Sequence, residues 1–69
     1  MKYAVYENYP NNKTMVHKEN CHCFIKRKNN EDSNGKWYFN LNSFQEAKKF
    51  AEKLKRKNHF LCKKCNPEV

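Results

Sequence analysis

The chain has 69 residues and a formal net charge of +8; 38% of its residues are hydrophobic and 32% are charged. This length predicts a single domain over 1–69, with an apolar core that rarely supplies more than about 3–5 kcal/mol. Such a chain needs a metal ion or a covalent cross-link to fold stably. No apolar stretch has the length of a signal peptide or a membrane span, so we expect a cytoplasmic protein with no membrane role.

Two short strands are predicted at the start of the chain. Residues 2–7 and residues 13–18 both alternate in the manner of β-strands, with aromatic and β-branched side chains. Residues 8–12 between them carry the Asn and Pro of a turn. The second strand places Met15 and His17 on one face, so His17 is expected at the end of an antiparallel pair.

The middle of the chain alternates between loops and one clear strand. Residues 24–28 are interpreted as a short extended or irregular segment. Residues 29–35 contain no apolar side chain, so they predict a mobile loop that ends in an Asn-Gly turn. The strand follows at 36–41, where the alternation of Trp37, Phe39 and Leu41 predicts one core-facing side.

A helix is predicted over 44–57. Ser43 and Glu46 match a capping box, in which Ser43 is the N-cap. The apolar stripe of the helix consists of Phe44, Ala47, Phe50, Ala51 and Leu54. Asn58 is expected to end the helix in the left-handed conformation. The fold class is therefore α+β: a short antiparallel sheet of about three strands, with one C-terminal amphipathic helix followed by a CxxC knuckle.

The cysteines predict a metal site. Cys62 and Cys65 form the knuckle, whose two-residue spacing lets both sulfurs reach one tetrahedral ion. The best candidates for the other two ligands are His17 and Cys21, which are spaced as HxxxC. One nitrogen and three sulfurs form a closed structural combination, so we predict a bound Zn²⁺ and a poorly folded apo chain.

Several alternatives to this ligand set remain open. Cys23 competes with Cys21, because a CxC spacing is tight for two ligands of one ion. His22 and His59 are alternatives to His17. Two disulfides would be the choice in a secreted protein, whereas a reducing compartment favours metal. A redox CxxC normally opens a helix, whereas this one follows a helix, so we expect no enzyme and no small-molecule substrate.

Four segments of the chain carry a family resemblance: Val16–Cys21, Trp37–Phe39, Ser43–Ala47 and Cys62–Pro67. Together they resemble the Ada-type metal-binding domain, which has two ligands three residues apart, a strand-to-helix passage and a terminal CxxCxP. The resemblance implies a small α+β zinc fold that binds DNA. The repair member of that family uses its first cysteine ligand as a methyl acceptor. His17 occupies that position here, and a zinc-bound imidazole has no free lone pair, so methyl transfer is not expected.

Two basic segments are candidates for contact with nucleic acid. In the predicted helix the cations share one side of the cylinder. The predicted nucleic-acid-binding residues are Lys49, Lys53, Arg56 and Lys57 on the helix and the run Lys26, Arg27 and Lys28. The expected partner is DNA or RNA, bound without strong sequence preference because no base-reading signature is present.

The runner-up function is a zinc-stabilised adaptor that binds a protein partner. It would present Tyr3, Tyr6, Tyr9 or the loop at 29–35 instead of the basic helix. The pattern of residues predicts no particular oligomeric state.

Overall fold

A computed structural model describes residues 2–67. Within that range the elements are β1 (Tyr3–Asn8), β2 (Lys13–Lys18), α1 (His22–Ile25), β3 (Gly35–Leu41), α2 (Phe44–Lys53) and β4 (Asn58–Leu61). The strands form one sheet in the order β3-β1-β2-β4, in which β4 runs parallel to β2 and the other pairs are antiparallel. The α+β class is confirmed, whereas the described sheet is mixed and has four strands instead of about three.

The β1–β2 hairpin sets the two faces of the sheet. Val5 pairs with Val16, and Ala4 pairs with His17. Because successive side chains point to opposite faces, the valines lie on one face and His17 on the other. The predicted alternation of both strands is confirmed, and it separates the apolar core from His17.

Helix α2 covers the valine face. The buried core cluster on this face consists of Val5, Val16, Leu41, Ala47 and Ala51. The predicted N-cap is present, because the Ser43 hydroxyl accepts a hydrogen bond from the Glu46 N–H at 3.1 Å. The Glu46 carboxylate in turn accepts from the Asn42 N–H at 3.2 Å. The small alanines let the helix lie close to the sheet.

The helix ends earlier than predicted. Its last residue is Lys53, and Lys55 rather than Asn58 has the left-handed conformation, with φ 56°. This early turn brings Arg56 back over the sheet, where its Nε lies 2.6 Å from Glu7 Oε2. Asn58 instead begins β4, so the segment before the knuckle becomes an edge strand.

Strand β3 contains a bulge, so the prediction that Trp37, Phe39 and Leu41 share one core face is wrong. Val5 pairs with Tyr38 and Tyr3 pairs with Leu41, so a step of two residues along β1 corresponds to a step of three residues along β3. Asn40 absorbs the extra residue with φ 66°. Tyr38 and Leu41 therefore face α2, and Trp37 and Phe39 lie on the opposite face.

The face opposite α2 is organised around the only tryptophan. The Trp37 ring centroid lies 4.8 Å from that of Tyr6, 5.0 Å from that of His17 and 5.3 Å from that of Phe24. Phe24 is buried and belongs to α1, a short helix in a region where loop and extended or irregular chain were expected. This helix forms because Phe24 packs on Trp37, which sequence spacing does not reveal.

The segment predicted as a mobile loop forms a hydrogen-bonded turn. The Asp32 carboxylate accepts from the N–H groups of Asn34 and Gly35 at 2.8 and 3.0 Å. Gly35 is required here, because a Cβ at this position would lie 2.2 Å from the carbonyl oxygen of Glu7 and 2.6 Å from the Tyr6 hydroxyl. The turn thereby starts β3 directly against β1.

Candidate metal centre

The four predicted metal ligands meet at one end of the sheet. His17 lies on β2, Cys21 directly precedes α1, and Cys62 and Cys65 follow β4. Their ligand atoms all lie within 4.8 Å of one another. His17, Cys21 and Cys62 are each less than 5% exposed, and Cys65 is half-buried. The cluster joins segments that are far apart in the chain.

Backbone pairing brings the knuckle to β2. The Cys62 N–H donates to the carbonyl of Val16 at 2.9 Å, which continues the parallel β2–β4 ladder past Leu61. Beyond it, the Lys18 N–H points at Cys65 Sγ at 3.3 Å. A backbone N–H directed at a sulfur favours the thiolate form that a metal requires.

The turn after β2 places the second upstream ligand. The Cys21 N–H donates to the carbonyl of Lys18 at 3.0 Å, which reverses the chain within three residues. Cys21 is also the N-cap residue of α1, with an extended backbone. His17 and Cys21 therefore approach the same point from the strand and from the helix.

Two distances within the cluster match the edges of a tetrahedral site. Cys21 Sγ lies 3.6 Å from His17 Nδ1 and 3.9 Å from Cys62 Sγ. Metal–ligand bonds of about 2.3 Å to sulfur and about 2.0–2.1 Å to nitrogen imply tetrahedral edges of about 3.8 Å between sulfurs and about 3.6 Å between nitrogen and sulfur. The residues present therefore match the size and donor chemistry of such a site.

The protonation of the cluster also suits a cation. Burial lowers the pKa of His17 to about 4, so the imidazole is neutral and free to coordinate. Burial, with the nearby Cys21 and Cys62 thiols, raises the pKa of Cys65 to about 12, although the Lys18 N–H opposes the shift. Thiolates this close repel one another, so their ionisation needs a positive ion among them.

The surroundings of Cys62 favour ionisation of its thiol. Burial acts to raise its pKa, but hydrogen bonds from the backbone N–H groups of Cys65 and Lys64, together with those shared with the Cys21 and Cys65 thiols, outweigh burial, and the net pKa is lowered. The knuckle thus supplies its own backbone donors to one sulfur, as a CxxC turn around a metal requires.

The alternative ligands lie outside the cluster. Cys23 is half-buried beside Cys21, and burial and its contacts with Cys21 raise the pKa of its thiol. His22 is exposed. His59 lies on β4 and shares a 2.7 Å hydrogen bond with the Thr14 hydroxyl, on the sheet face that α2 covers. The described residues therefore place His17 and Cys21, rather than these three, in the cluster.

The predicted cations of the helix region are divided between two environments. Lys49 and Lys53 are exposed on α2, and Lys57 is exposed beyond its end. Arg56 lies outside the helix and is bound to buried Glu7, with its guanidinium 5.1 Å from the Tyr9 ring. Arg56 thus contributes to the fold, and the predicted four-residue helical stripe is reduced to Lys49 and Lys53.

The second basic run lies on the other side of the sheet from α2. Arg27 donates to the carbonyl of Phe24 and to the Asn30 side chain, each at 2.7 Å, and its guanidinium lies 3.7 Å from the Phe24 ring centre. Lys26 and Lys28 are exposed. The two basic segments therefore do not form one continuous patch.

Two features of the site were not predicted from the sequence. One is the contact of Trp37 with His17, which orients the imidazole from the side. The other is the parallel pairing of β4 with β2 that carries the knuckle to its place. A sequence signal for the extra strand was available just before the knuckle, in His59-Phe60-Leu61. This run contains an aromatic residue, and in the structure it is extended rather than helical.

Comparisons with known proteins add no relative to this description. No family model, curated protein or solved structure matches the chain. Among residues 2–67, no helix combines the length and the apolar character that crossing a bilayer requires.

Proposed function

We propose that the chain is a zinc module whose ion is structural and whose lysines bind nucleic acid. The observation that carries the proposal is the buried cluster of one histidine and three cysteines. Thiolate and imidazole ligands in a tetrahedral arrangement favour Zn²⁺ over the hard cations Mg²⁺ and Ca²⁺. Four protein ligands fill the tetrahedron, so no open position is left for a substrate or an activated water.

A structural ion matters because the apolar core is small. The buried core cluster holds five residues, and two of them are alanines. A core of this size supplies about 3–5 kcal/mol at most, whereas a structural zinc site in a small peptide contributes about 10–16 kcal/mol of apparent binding energy. The ion would hold β2, α1 and the C-terminal knuckle together, which the core on the α2 face does not do.

The proposed nucleic-acid contact lies on the outer side of α2. Lys49 and Lys53 are one helical turn apart, and the inner side of the same helix is fixed on the sheet by Ala47 and Ala51. Flexible cations on a rigid element suit contact with phosphates. The net charge of +8 and the resemblance to a DNA-binding zinc domain support the same partner.

A salt titration with duplex DNA tests this contact. Each phosphate neutralised by a lysine contributes about −0.9 to the slope of log K against log salt concentration. Replacing both Lys49 and Lys53 with Gln should therefore make the slope shallower by about 1.8. Fluorescence anisotropy of a labelled duplex at several salt concentrations measures the slope.

The matched control changes the charge equally on the other side of the sheet. Lys26→Gln with Lys28→Gln also removes two cations, but we expect it to leave the slope closer to that of the unsubstituted protein. Equal effects of the two pairs would mean that only net charge matters. A flat salt response of the unsubstituted protein would remove the nucleic-acid function altogether.

The adaptor alternative receives less support from the described contacts. Tyr3 packs edge-on against Phe44 with 6.4 Å between ring centroids, and Tyr6 packs against Trp37. Tyr9 lies beneath the Arg56 guanidinium. Tyr3 and Tyr9 are therefore engaged within the fold, so these two are poor candidates for the exposed recognition residues of an adaptor.

A further inference from the structure

The sheet face opposite α2 carries a row of large side chains, one from each strand. Trp37 on β3 pairs with Tyr6 on β1, Tyr6 pairs with Met15 on β2, and Met15 pairs with Phe60 on β4. Paired residues in neighbouring strands point to the same face, and strands are about 4.8 Å apart, so the row extends across about 14 Å. Phe60 is 48% exposed, and the other three are half-buried.

Two open cavities adjoin one another along this row. One, of about 270 Å³, contains Tyr6, Met15 and Trp37 in its wall. The other, of about 360 Å³, contains Met15 and Phe60. Both are lined by Lys13, Met15 and Cys23, so they lie side by side, and we call the two together the aromatic groove.

The charge at the border of the aromatic groove has one sign. Lys13, Lys63 and Lys64 contribute to its walls, and among residues 2–67 no Asp or Glu does. The Lys13 ammonium lies 5.7 Å from the centre of the Phe60 ring, which places a cation next to the most exposed aromatic side chain. An occupant of this groove would therefore combine flat apolar groups with negative charge.

We propose that the aromatic groove binds the unpaired bases of a single-stranded nucleic acid. This inference rests on the proposed function for the class of ligand, but it uses a different surface from the α2 lysines. Bases stack on Phe60 and on the Tyr6–Trp37 pair, and the lysines at the border contact the phosphates. Stacking accepts every base, which agrees with the lack of a base-reading signature in the sequence. A duplex hides its base faces and cannot enter in this way.

The sole tryptophan provides the readout. A short oligothymidylate added to the zinc-loaded full chain should quench Trp37 fluorescence, whereas the same strand in a duplex should not. Phe60→Ala should weaken oligothymidylate binding about 5-fold or more, the loss expected for one stacked base. The affinity of the Phe60→Ala variant for duplex should stay unchanged.

Phe39→Ala is the matched control. Phe39 is 43% exposed on the same sheet face, but it packs on Phe24 near Arg27 and is not part of the groove. This variant should bind oligothymidylate like the unsubstituted protein. Zinc content and circular dichroism of both variants separate a lost contact from a lost fold.

The outcomes distinguish the two proposals. Equal losses in Phe60→Ala and Phe39→Ala, or duplex binding without single-strand binding, would overturn the groove and leave the α2 contact standing. Tight oligothymidylate binding with no contribution from Lys49 and Lys53 would overturn the α2 contact and leave the groove standing. If an acidic peptide quenched Trp37 and oligothymidylate did not, the groove would be a protein-binding site and the inference would be wrong.

Discussion

Replacing Cys62 or Cys65 with serine should leave most of the protein unfolded at 25 °C. Each substitution removes one of the four candidate ligands that meet within 4.8 Å, and a serine hydroxyl is a poor ligand for zinc. Zinc binding is folding free energy in such a domain, so the loss exceeds the few kcal/mol that the small core supplies. Cys21→Ser should have nearly the same effect.

Cys23→Ser is the matched control for this series. Cys23 lies beside the cluster without belonging to it, so its serine variant should bind one zinc ion and keep its fold. Circular dichroism and zinc content of all four variants, measured in parallel, provide the test. A mild and equal effect at all four positions would contradict the ligand assignment.

Arg56→Met should destabilise the zinc-loaded protein by about 1–3 kcal/mol. Glu7 is 6% exposed. Its carboxylate forms an ion pair with Arg56 at 2.6 Å and accepts a hydrogen bond from the Tyr38 hydroxyl at 3.0 Å. Removing one partner of a buried ion pair costs about 3–5 kcal/mol, and the partial exposure of Arg56 reduces this figure. Burial, with the hydrogen bond to Glu7, raises the pKa of Tyr38 to about 12, so its phenol still donates at neutral pH.

Urea unfolding of the zinc-loaded variants measures this effect. Lys53→Met is the matched control, because it removes an exposed cation of the same region and should change stability little. Adding Glu7→Gln to Arg56→Met should recover part of the loss, since no buried charge is then left unpaired. If Arg56→Met were as stable as Lys53→Met, the ion pair would contribute nothing to the fold.

The local parts of the fold could be predicted from the sequence. Alternation in β1 and β2 placed His17 on the correct face, and the capping box located the start of α2. These features depend on residues close in the chain. The clustering of His17, Cys21, Cys62 and Cys65 could be predicted too, because the spacings HxxxC and CxxC restrict which side chains reach one ion.

The remaining parts depend on contacts between distant residues. Asn40 gives no sign in the sequence that it will take up a bulge, yet that bulge places Leu41 on the α2 face, opposite to Trp37. The early end of the helix places Arg56 against Glu7, which is far away in the chain. Short α1 exists because Phe24 packs on Trp37. Alternation and helical periodicity do not describe such contacts.

The metal centre and the aromatic groove are connected through β4. This edge strand pairs only with β2 among the described strands, and the knuckle that follows it contains two of the ligands. Phe60 lies on the same strand, two residues before Cys62. Loss of the ion should therefore release β4 and dismantle the groove, which would make single-strand binding dependent on zinc.

The central claim is that a zinc ion bound by His17, Cys21, Cys62 and Cys65 holds the fold together. Its most direct test is the amide chemical-shift dispersion of the ¹⁵N-labelled chain before and after zinc is removed with a chelator under reducing conditions. We predict that the dispersion collapses as the zinc leaves and returns when one equivalent is restored. Full dispersion in protein shown to be free of metal would contradict the claim.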